Sequence, residues 1–278
     1  MKKLIIFTDL DGTLLDYSDY SFDKALPALQ LIKEKNIPLI ICSSKTRKEI
    51  EHYREKLFNL HPFISENGGG IFIPKGYFES RVKSLESKVE EEGAYNVFRL
   101  GARYSDLRKA IDELKAEGFN VKGFGDMTVK QVSVVTGLSI EEAKMAKERD
   151  FDEPFVFAGD EDDIRKLLNR IKKRGFNHTQ GRFFHILGNS NKGRAVSILI
   201  DLYRREFGEI ATVAVGDSPN DIPMLEHVDH PAIVRKHDGE YDKQINIPSL
   251  IMAEGIGPDG WNKAVIEIIN RRDNNDKY

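Results

Sequence analysis

The sequence predicts an α/β fold built on a mainly parallel sheet, with a second α/β unit inserted into it. Three observations carry that expectation. Short apolar runs, Leu4-Ile5-Ile6-Phe7, Pro38-Leu39-Ile40-Ile41-Cys42 and Ala211-Thr212-Val213-Ala214-Val215, end in acids or hydroxyls. Strands covered on both faces read as continuous apolar runs, and open α/β sheets hold ligands at strand carboxyl ends. Helical patterns with chemically marked starts separate the strands. Finally, the polar strand ends lie before residue 50 and beyond residue 190, so the residues between them form an insert.

The first strand runs into Thr8-Asp9-Leu10-Asp11-Gly12-Thr13. Period-two alternation puts Asp9 and Asp11 on one face, and Gly12 permits the turn that follows. Two acids so placed repel unless a cation or proton lies between them. An all-oxygen site suits Mg²⁺. The plainer alternative is a turn cap, because Asp-Gly is also a turn signal.

The second strand ends in Ser43-Ser44-Lys45-Thr46, hydroxyls followed by a cation. Thr46 and Glu49 form a capping box for a helix carrying Ile50, Tyr53 and Leu57 on one side and ending near Asn59. Phe63-Ile64-Ser65 and Ile71-Phe72-Ile73 then flank Asn67-Gly68-Gly69-Gly70, a hairpin at the core edge. Asn67 and Gly68 could also cradle a phosphate, but a simple turn explains the glycines.

The insert is expected over residues 83–188, with the core formed by 1–82 and 189–278. Ser105 opens a helix bearing Leu107, Ile111 and Leu114 and stopped by Gly118, while Thr128/Gln131 and Ser139/Glu142 are capping-box pairs. Asp160 begins a helix closed by Gly175, and its acidic first turn is accounted for by the helix dipole. Two strings could reach a ligand: Gly123-Phe124-Gly125-Asp126-Met127-Thr128 and Gln180-Gly181-Arg182-Phe183-Phe184-His185. Read as a strand, the second alternates faces, Arg182 opposite His185, with His185 the structural member. Beyond it, Asn191-Lys192-Gly193-Arg194 starts a helix, and the third apolar run enters Gly216-Asp217-Ser218-Pro219-Asn220-Asp221.

This ordered set (Asp9-x-Asp11-Gly12-Thr13, Ser43, Lys192, Gly216-Asp217-x-x-Asn220-Asp221) resembles the four motifs of the haloacid dehalogenase-like phosphatases, and the resemblance covers the whole chain. It implies a Rossmann-like core with an inserted α/β cap of the C2 type. It implies Asp9 as nucleophile, Asp11 as general acid and base, and Ser43 and Lys192 as holders of the phosphate oxygens. The metal would be held by Asp9, Asp217 and the Asp11 carbonyl, with Asp221 and Asn220 orienting that shell. The family's commoner second motif is Thr-Gly-Arg; Ser43-Ser44-Lys45 departs from it but keeps the hydroxyl.

Ile41-Cys42-Ser43-Ser44-Lys45-Thr46-Arg47, Gly123–Thr128 and Gln180-Gly181-Arg182-Phe183 resemble one branch, the mannosyl-3-phosphoglycerate phosphatases. That resemblance implies hydrolysis of a phosphorylated sugar-glycerate to mannosylglycerate, a compatible solute. Arg182 or Lys45 would meet the glycerate carboxylate. Asp126, Thr128, Gln180 and Gly181 would stand near the sugar. A glucosyl-3-phosphoglycerate or other sugar-phosphate phosphatase, a phosphomutase, and a non-catalytic phosphosugar-binding protein remain open at this point.

Composition narrows the partners. The 278 residues carry a net charge of −3, which gives no basic excess for nucleic acid. No apolar run is long enough to span a membrane, and Thr8 and Asp9 interrupt the only amino-terminal one, so a cytoplasmic setting is expected. The single cysteine, Cys42, reads as a core residue. The sequence is silent on oligomeric state.

Overall fold

The computed structural model describes residues 2–78 and 89–275. In chain order the first part contains β1 (Lys3–Thr8), α1 (Leu26–Glu34), β2 (Leu39–Cys42), α2 (Arg47–Lys56), β3 (Phe63–Ser65), β4 (Gly70–Pro74), β5 (Val89–Glu92) and β6 (Tyr95–Arg99). Then follow α3 (Tyr104–Ala116), β7 (Val121–Gly123), α4 (Val129–Thr136), α5 (Ile140–Ala146), β8 (Asp152–Phe157), α6 (Glu161–Lys173), β9 (Asn177–Gln180) and β10 (Phe184–Leu187). The chain closes with α7 (Lys192–Phe207), β11 (Ile210–Gly216), α8 (Ile222–Leu225), β12 (His230–Arg235), β13 (Ile251–Ile256) and α9 (Gly257–Asn275).

Among the described residues nine strands form one sheet in the order β13-β12-β11-β1-β2-β3-β4-β6-β5. The run from β13 to β3 is parallel, and β4, β6 and β5 are added antiparallel. Because the chain leaves β1 toward β2 on one side and returns through β11 on the other, the carboxyl end of β1 is a topological switch point. There the flanking connections diverge and open a crevice. Two buried apolar clusters, one containing Ile6, Leu14 and Trp261 and the other Ile5, Phe7 and Leu199, show alternate β1 residues facing opposite layers. Cys42 lies in the second cluster, and burial pushes its thiol up, as its packing role requires.

Residues 89–99 correct the expected division. They were assigned to the insert, yet β6 pairs with β4 from Gly70↔Arg99 to Pro74↔Tyr95, extending the core sheet. Phe63 and Phe72 pack at right angles to Tyr95, and the Arg47 guanidinium lies over that ring, so aromatic burial recruits the hairpin to the core. The expected boundary at 82/83 falls outside the described residues. We propose that the insert proper begins near residue 101, after β6. Its own sheet, β7-β8-β10-β9, is antiparallel, with Leu107, Ile111, Leu167 and Ile171 of α3 and α6 packed on it.

The capping boxes at Thr46, Thr128 and Ser139 form as expected. α3 starts at Tyr104 with Arg103 as its N-cap, so Ser105 lies inside the first turn rather than ahead of it. The last helix runs through Arg271 to Asn275.

Two contacts position the site. Trp261, wholly buried, donates from Nε1 to Thr8 Oγ1 at 2.9 Å, and Thr8 Oγ1 donates to the Asp9 carbonyl at 2.7 Å, fixing the chain where it leaves β1. The triple glycine lets the chain returning from the insert and a loop within the insert pass close by. A Cβ on Gly68 would lie 2.1 Å from the Asn191 carbonyl oxygen, and one on Gly69 2.2 Å from Phe151 Cβ. Gly68 also has φ +88°, a region an L side chain enters only under strain. Gly68→Ala should therefore cost at least ~2 kcal/mol, read as a lower urea midpoint; an unchanged midpoint would show that Asn191 does not lie there.

Candidate active site

β1 and β11 pair in register, Thr8 beside Val215, so Asp9 and Asp217 leave adjacent strands together. The Asp9 amide donates to the Val215 carbonyl at 3.0 Å. Lys192, the first residue of α7, enters from below: its Nζ lies 2.6 Å from Asp9 Oδ1 and 2.6 Å from Asp221 Oδ1. Asp221 Oδ2 accepts the amides of Asp217 at 3.0 Å and Ser218 at 3.1 Å. Both Asp221 oxygens are thus hydrogen-bonded. Asp217 Oδ1 accepts from Thr13 Oγ1 at 3.1 Å, whereas Asp9 Oδ2 has no hydrogen bond among the described residues.

Charge accounting defines what this cluster wants. Asp9, Asp217 and Asp221 are buried, and one oxygen from each lies within 4.8 Å of the others. Burial would depress the Lys192 ammonium, but Asp221 and Asp9 more than offset it and hold the proton on. One ammonium leaves the three carboxylates in excess. Burial, only partly offset by Lys192, pushes Asp9 well up, and burial with the Asp221 charge raises Asp217 to about 7. A divalent cation relieves that repulsion, and the all-oxygen donor set fits Mg²⁺. Space agrees: a Cβ on Gly12 would stand 2.9 Å from Asp217 Oδ2, so glycine keeps the acid's approach open.

Asp11 sits higher, at the floor of the cleft between core and insert, with its Oδ1 3.1 Å from Lys45 Nζ. Lys45 also lies 3.3 Å from Glu49 and under the Tyr20 ring at 4.8 Å. Burial works against the Lys45 charge, but Asp11 and Glu49 hold it above the usual lysine range. Its charge is already matched, which weighs against the expectation that it takes a substrate carboxylate. Ser43 ends β2, wholly buried, and its Oγ accepts the Lys45 amide at 3.3 Å; Ser44, not Ser43, lines the cleft.

The insert closes this cleft to about 100 Å³, with Phe124, Gly181, Arg182, Phe183 and His185 facing Asp9, Asp11 and Asp217. Arg182 and His185 were expected on opposite faces. They share the cleft because Gly181–Phe183 is a hairpin tip, closed by the Gly181 amide donating to the Phe183 carbonyl at 3.1 Å, and strand alternation stops there. His185 Nδ1 lies 3.0 Å from Asp152 Oδ2, the structural anchor expected of it.

Other expected contacts are not brought to the cleft. Asp126 is spent within the insert on Arg108, on Lys115 at 2.6 Å and on the Gly123 amide at 2.9 Å. Thr128 caps α4, and Gln180 is an exposed end of β9. Asn67 is 2 % exposed and bridges Asp152 (2.8 Å) and Asn220 (3.1 Å), while Gly68 serves packing as described above. Conversely Tyr17, Tyr20, Glu49 and Arg149 line the cleft without having been singled out for it. Glu49 had been explained by its capping box, and the others stand in no chemical pattern.

The chain belongs to the haloacid dehalogenase-like hydrolases, whose family description matches residues 6–240. It is 49 % identical, over 98 % of its length and 99 % of the relative's, to a glucosyl-3-phosphoglycerate/mannosyl-3-phosphoglycerate phosphatase of Methanococcoides burtonii. It is 40 % identical, over 89 % of its length and 96 % of the relative's, to a mannosyl-3-phosphoglycerate phosphatase of Pyrococcus horikoshii. The fold matches a haloalkanoate-superfamily phosphatase from Bacteroides thetaiotaomicron with a TM-score of 0.64 at 18 % identity, covering 97 % of this chain and 96 % of that one.

Two measurements follow. Mg²⁺ should raise the melting temperature by several degrees at saturating concentration, as for any ligand of the native state alone, and Asp217→Asn should abolish the shift; equal shifts in both proteins would place the ion elsewhere. For Asp126, burial opposes ionisation, but its Arg108 and Lys115 hydrogen bonds hold the carboxyl down at about 2. Its stabilisation is full above the unfolded value and lost as pH falls through about 2. Asp126→Asn should destabilise at neutral pH, with the deficit shrinking on acidification, and leave KM unchanged; a raised KM would return it to the substrate.

Proposed function

We propose that this chain is a Mg²⁺-dependent phosphatase that hydrolyses mannosyl-3-phosphoglycerate to mannosylglycerate and phosphate through a phosphoryl-aspartate, and that it accepts the glucosyl epimer as well. The observation that carries the reading is the Asp9 carboxylate: one oxygen pinned by Lys192, the other free at the floor of a closed cleft. The names of the relatives at 49 % and 40 % identity support the substrate class.

In this reading Asp9 Oδ2 attacks phosphorus, and the bond from phosphorus to the glycerate C3 oxygen breaks as Asp11 delivers a proton to that oxygen. Asp11 then takes a proton from water as the water oxygen attacks phosphorus, releasing phosphate and restoring Asp9. Lys192, with the hydroxyl-bearing end of β2 (Ser43 buried, Ser44 facing the cleft), holds the non-transferring oxygens, where charge spreads in a loose transition state. Asp9, Asp217 and the Asp11 carbonyl would hold Mg²⁺, which when bound neutralises phosphate charge. Asp221 keeps Lys192 and the Asp217 loop in place, and Asn220 braces that loop against Asn67. Arg182 offers a guanidinium to the glycerate carboxylate. The substrate is a small, multiply charged metabolite, and the setting proposed is the cytoplasm.

The test is phosphate release, with kcat/KM compared for mannosyl- and glucosyl-3-phosphoglycerate against mannose 6-phosphate, and Asp9→Asn as the blank. A preference of tenfold or more for both glycosylated glycerates is expected. Equal, slow turnover of all three would replace the reading with a general sugar phosphatase.

A further inference from the structure

Arg182, at the tip of the hairpin in the insert, is held by two tyrosines from the loop that follows β1. Its guanidinium carbon lies 4.9 Å from the centre of the Tyr17 ring, and Tyr17 is stacked in turn on His237, 4.1 Å away and 9° from parallel. Its Nη1 donates to Tyr20 Oη at 3.0 Å. Tyr20 Oη donates its own proton to the Thr136 carbonyl at 2.9 Å, so one hydroxyl ties the core loop to both the hairpin and the end of α4. Beneath, the Tyr20 ring rests on Lys45.

Three further facts point to a purpose. Tyr20 has φ +58°, a conformation that a bulky residue adopts only where its surroundings impose it, and such strain gathers at functional clefts. Burial, with the Asp11 charge next, pushes the Tyr20 hydroxyl up, so it stays protonated and able to donate. The remaining N–H groups of Arg182 meet no acceptor among the described residues, while the other basic side chains lining the cleft are matched, Lys45 by Asp11 and Glu49 and Arg149 by Asp152.

We propose that Tyr17 and Tyr20 are positioning residues that make the closed cleft selective for phosphate esters bearing a carboxylate. Tyr17 fixes the plane of Arg182 by stacking, and Tyr20 fixes its rotation by a single hydrogen bond. The unspent edge of the guanidinium is then left for a bidentate bond to a carboxylate lying between insert and core. The clamp draws on core and insert together, so it exists only when the insert is closed. This rests on the proposed function for the identity of the natural substrate, but not for the selectivity itself.

The test compares Tyr17→Ala, Tyr17→Phe and Tyr20→Phe with the parent on 3-phosphoglycerate and glycerol 3-phosphate, which differ only in the carboxylate, alongside mannosyl-3-phosphoglycerate. Tyr17→Ala and Tyr20→Phe should each lower the kcat/KM ratio of the acid to the alcohol by fivefold or more, through KM, while Tyr17→Phe keeps the ring and the ratio. Parallel losses on both esters, or an unchanged ratio in every variant, would overturn the clamp. Failure of the parent enzyme on mannosyl-3-phosphoglycerate, with the acid-to-alcohol ratio still falling in the variants, would overturn the proposed function and leave the clamp standing.

Discussion

A buried ammonium between two carboxylates organises this molecule. Lys192 has no exposed side-chain surface, yet reaches Asp9 and Asp221 at 2.6 Å each. Burying an ion costs several kcal/mol unless it is closely paired. The residues that place it are therefore fixed as a group: β1 for Asp9, the turn after β11 for Asp221, and the first turn of α7, capped by Asn191, for the lysine. The packing of Gly68 on Asn191, and of Gly193 on the Pro223 carbonyl, seats that helix start. Stability and chemistry share one set of contacts, since the lysine that satisfies the buried acids also leaves them with an unmet negative charge.

A second buried network joins the insert to the core. Glu66 accepts the amides of Asp150, Phe151 and Asp152 at 3.0, 2.7 and 3.0 Å, so the loop of the insert ahead of β8 is stitched to the turn between β3 and β4. Arg149 pairs with Asp152 and donates to the Ser44 carbonyl at 2.7 Å, beside the hydroxyl-bearing end of β2. Asp152 also holds Asn67 and, on the neighbouring strand β10, His185. Polar groups this deeply buried are stable only when all are satisfied, so the network favours one docked arrangement of the insert over sliding alternatives. An enzyme acting on a small charged ester gains by this, because the groups that meet the ester from the core and from the insert are held in one arrangement.

The core was legible from sequence because its signals are local: an apolar run followed by an acid announces both a strand and its chemical end. Asp9, Asp11, Lys192 and Asp217 converge because parallel β1 and β11 bring distant motifs into register. The insert was less legible, for two physical reasons. Asp126 looked available, but its partners Arg108 and Lys115 sit on a helix whose apolar stripe is legible while the loop its polar side meets is not. Arg182 and His185 seemed to face apart because strand alternation was applied through what is a hairpin tip. Tyr17 and Tyr20 carry no motif; their importance arises from a loop fold with an unusual φ, which only three-dimensional structure displays. Likewise β5 and β6 look like insert strands until the aromatic contacts of Tyr95 bind them to the core.

The central claim is that the free oxygen of Asp9 forms a bond to phosphorus. Acid-quenching the enzyme during turnover of mannosyl-3-phosphoglycerate and mapping the phosphorylated peptide by mass spectrometry tests it directly. The account predicts an acid-stable, base-labile phosphoryl group on Asp9 in the parent enzyme and none in Asp9→Asn. Turnover with the phosphoryl group on another residue, or with none trapped in the parent enzyme, would contradict it.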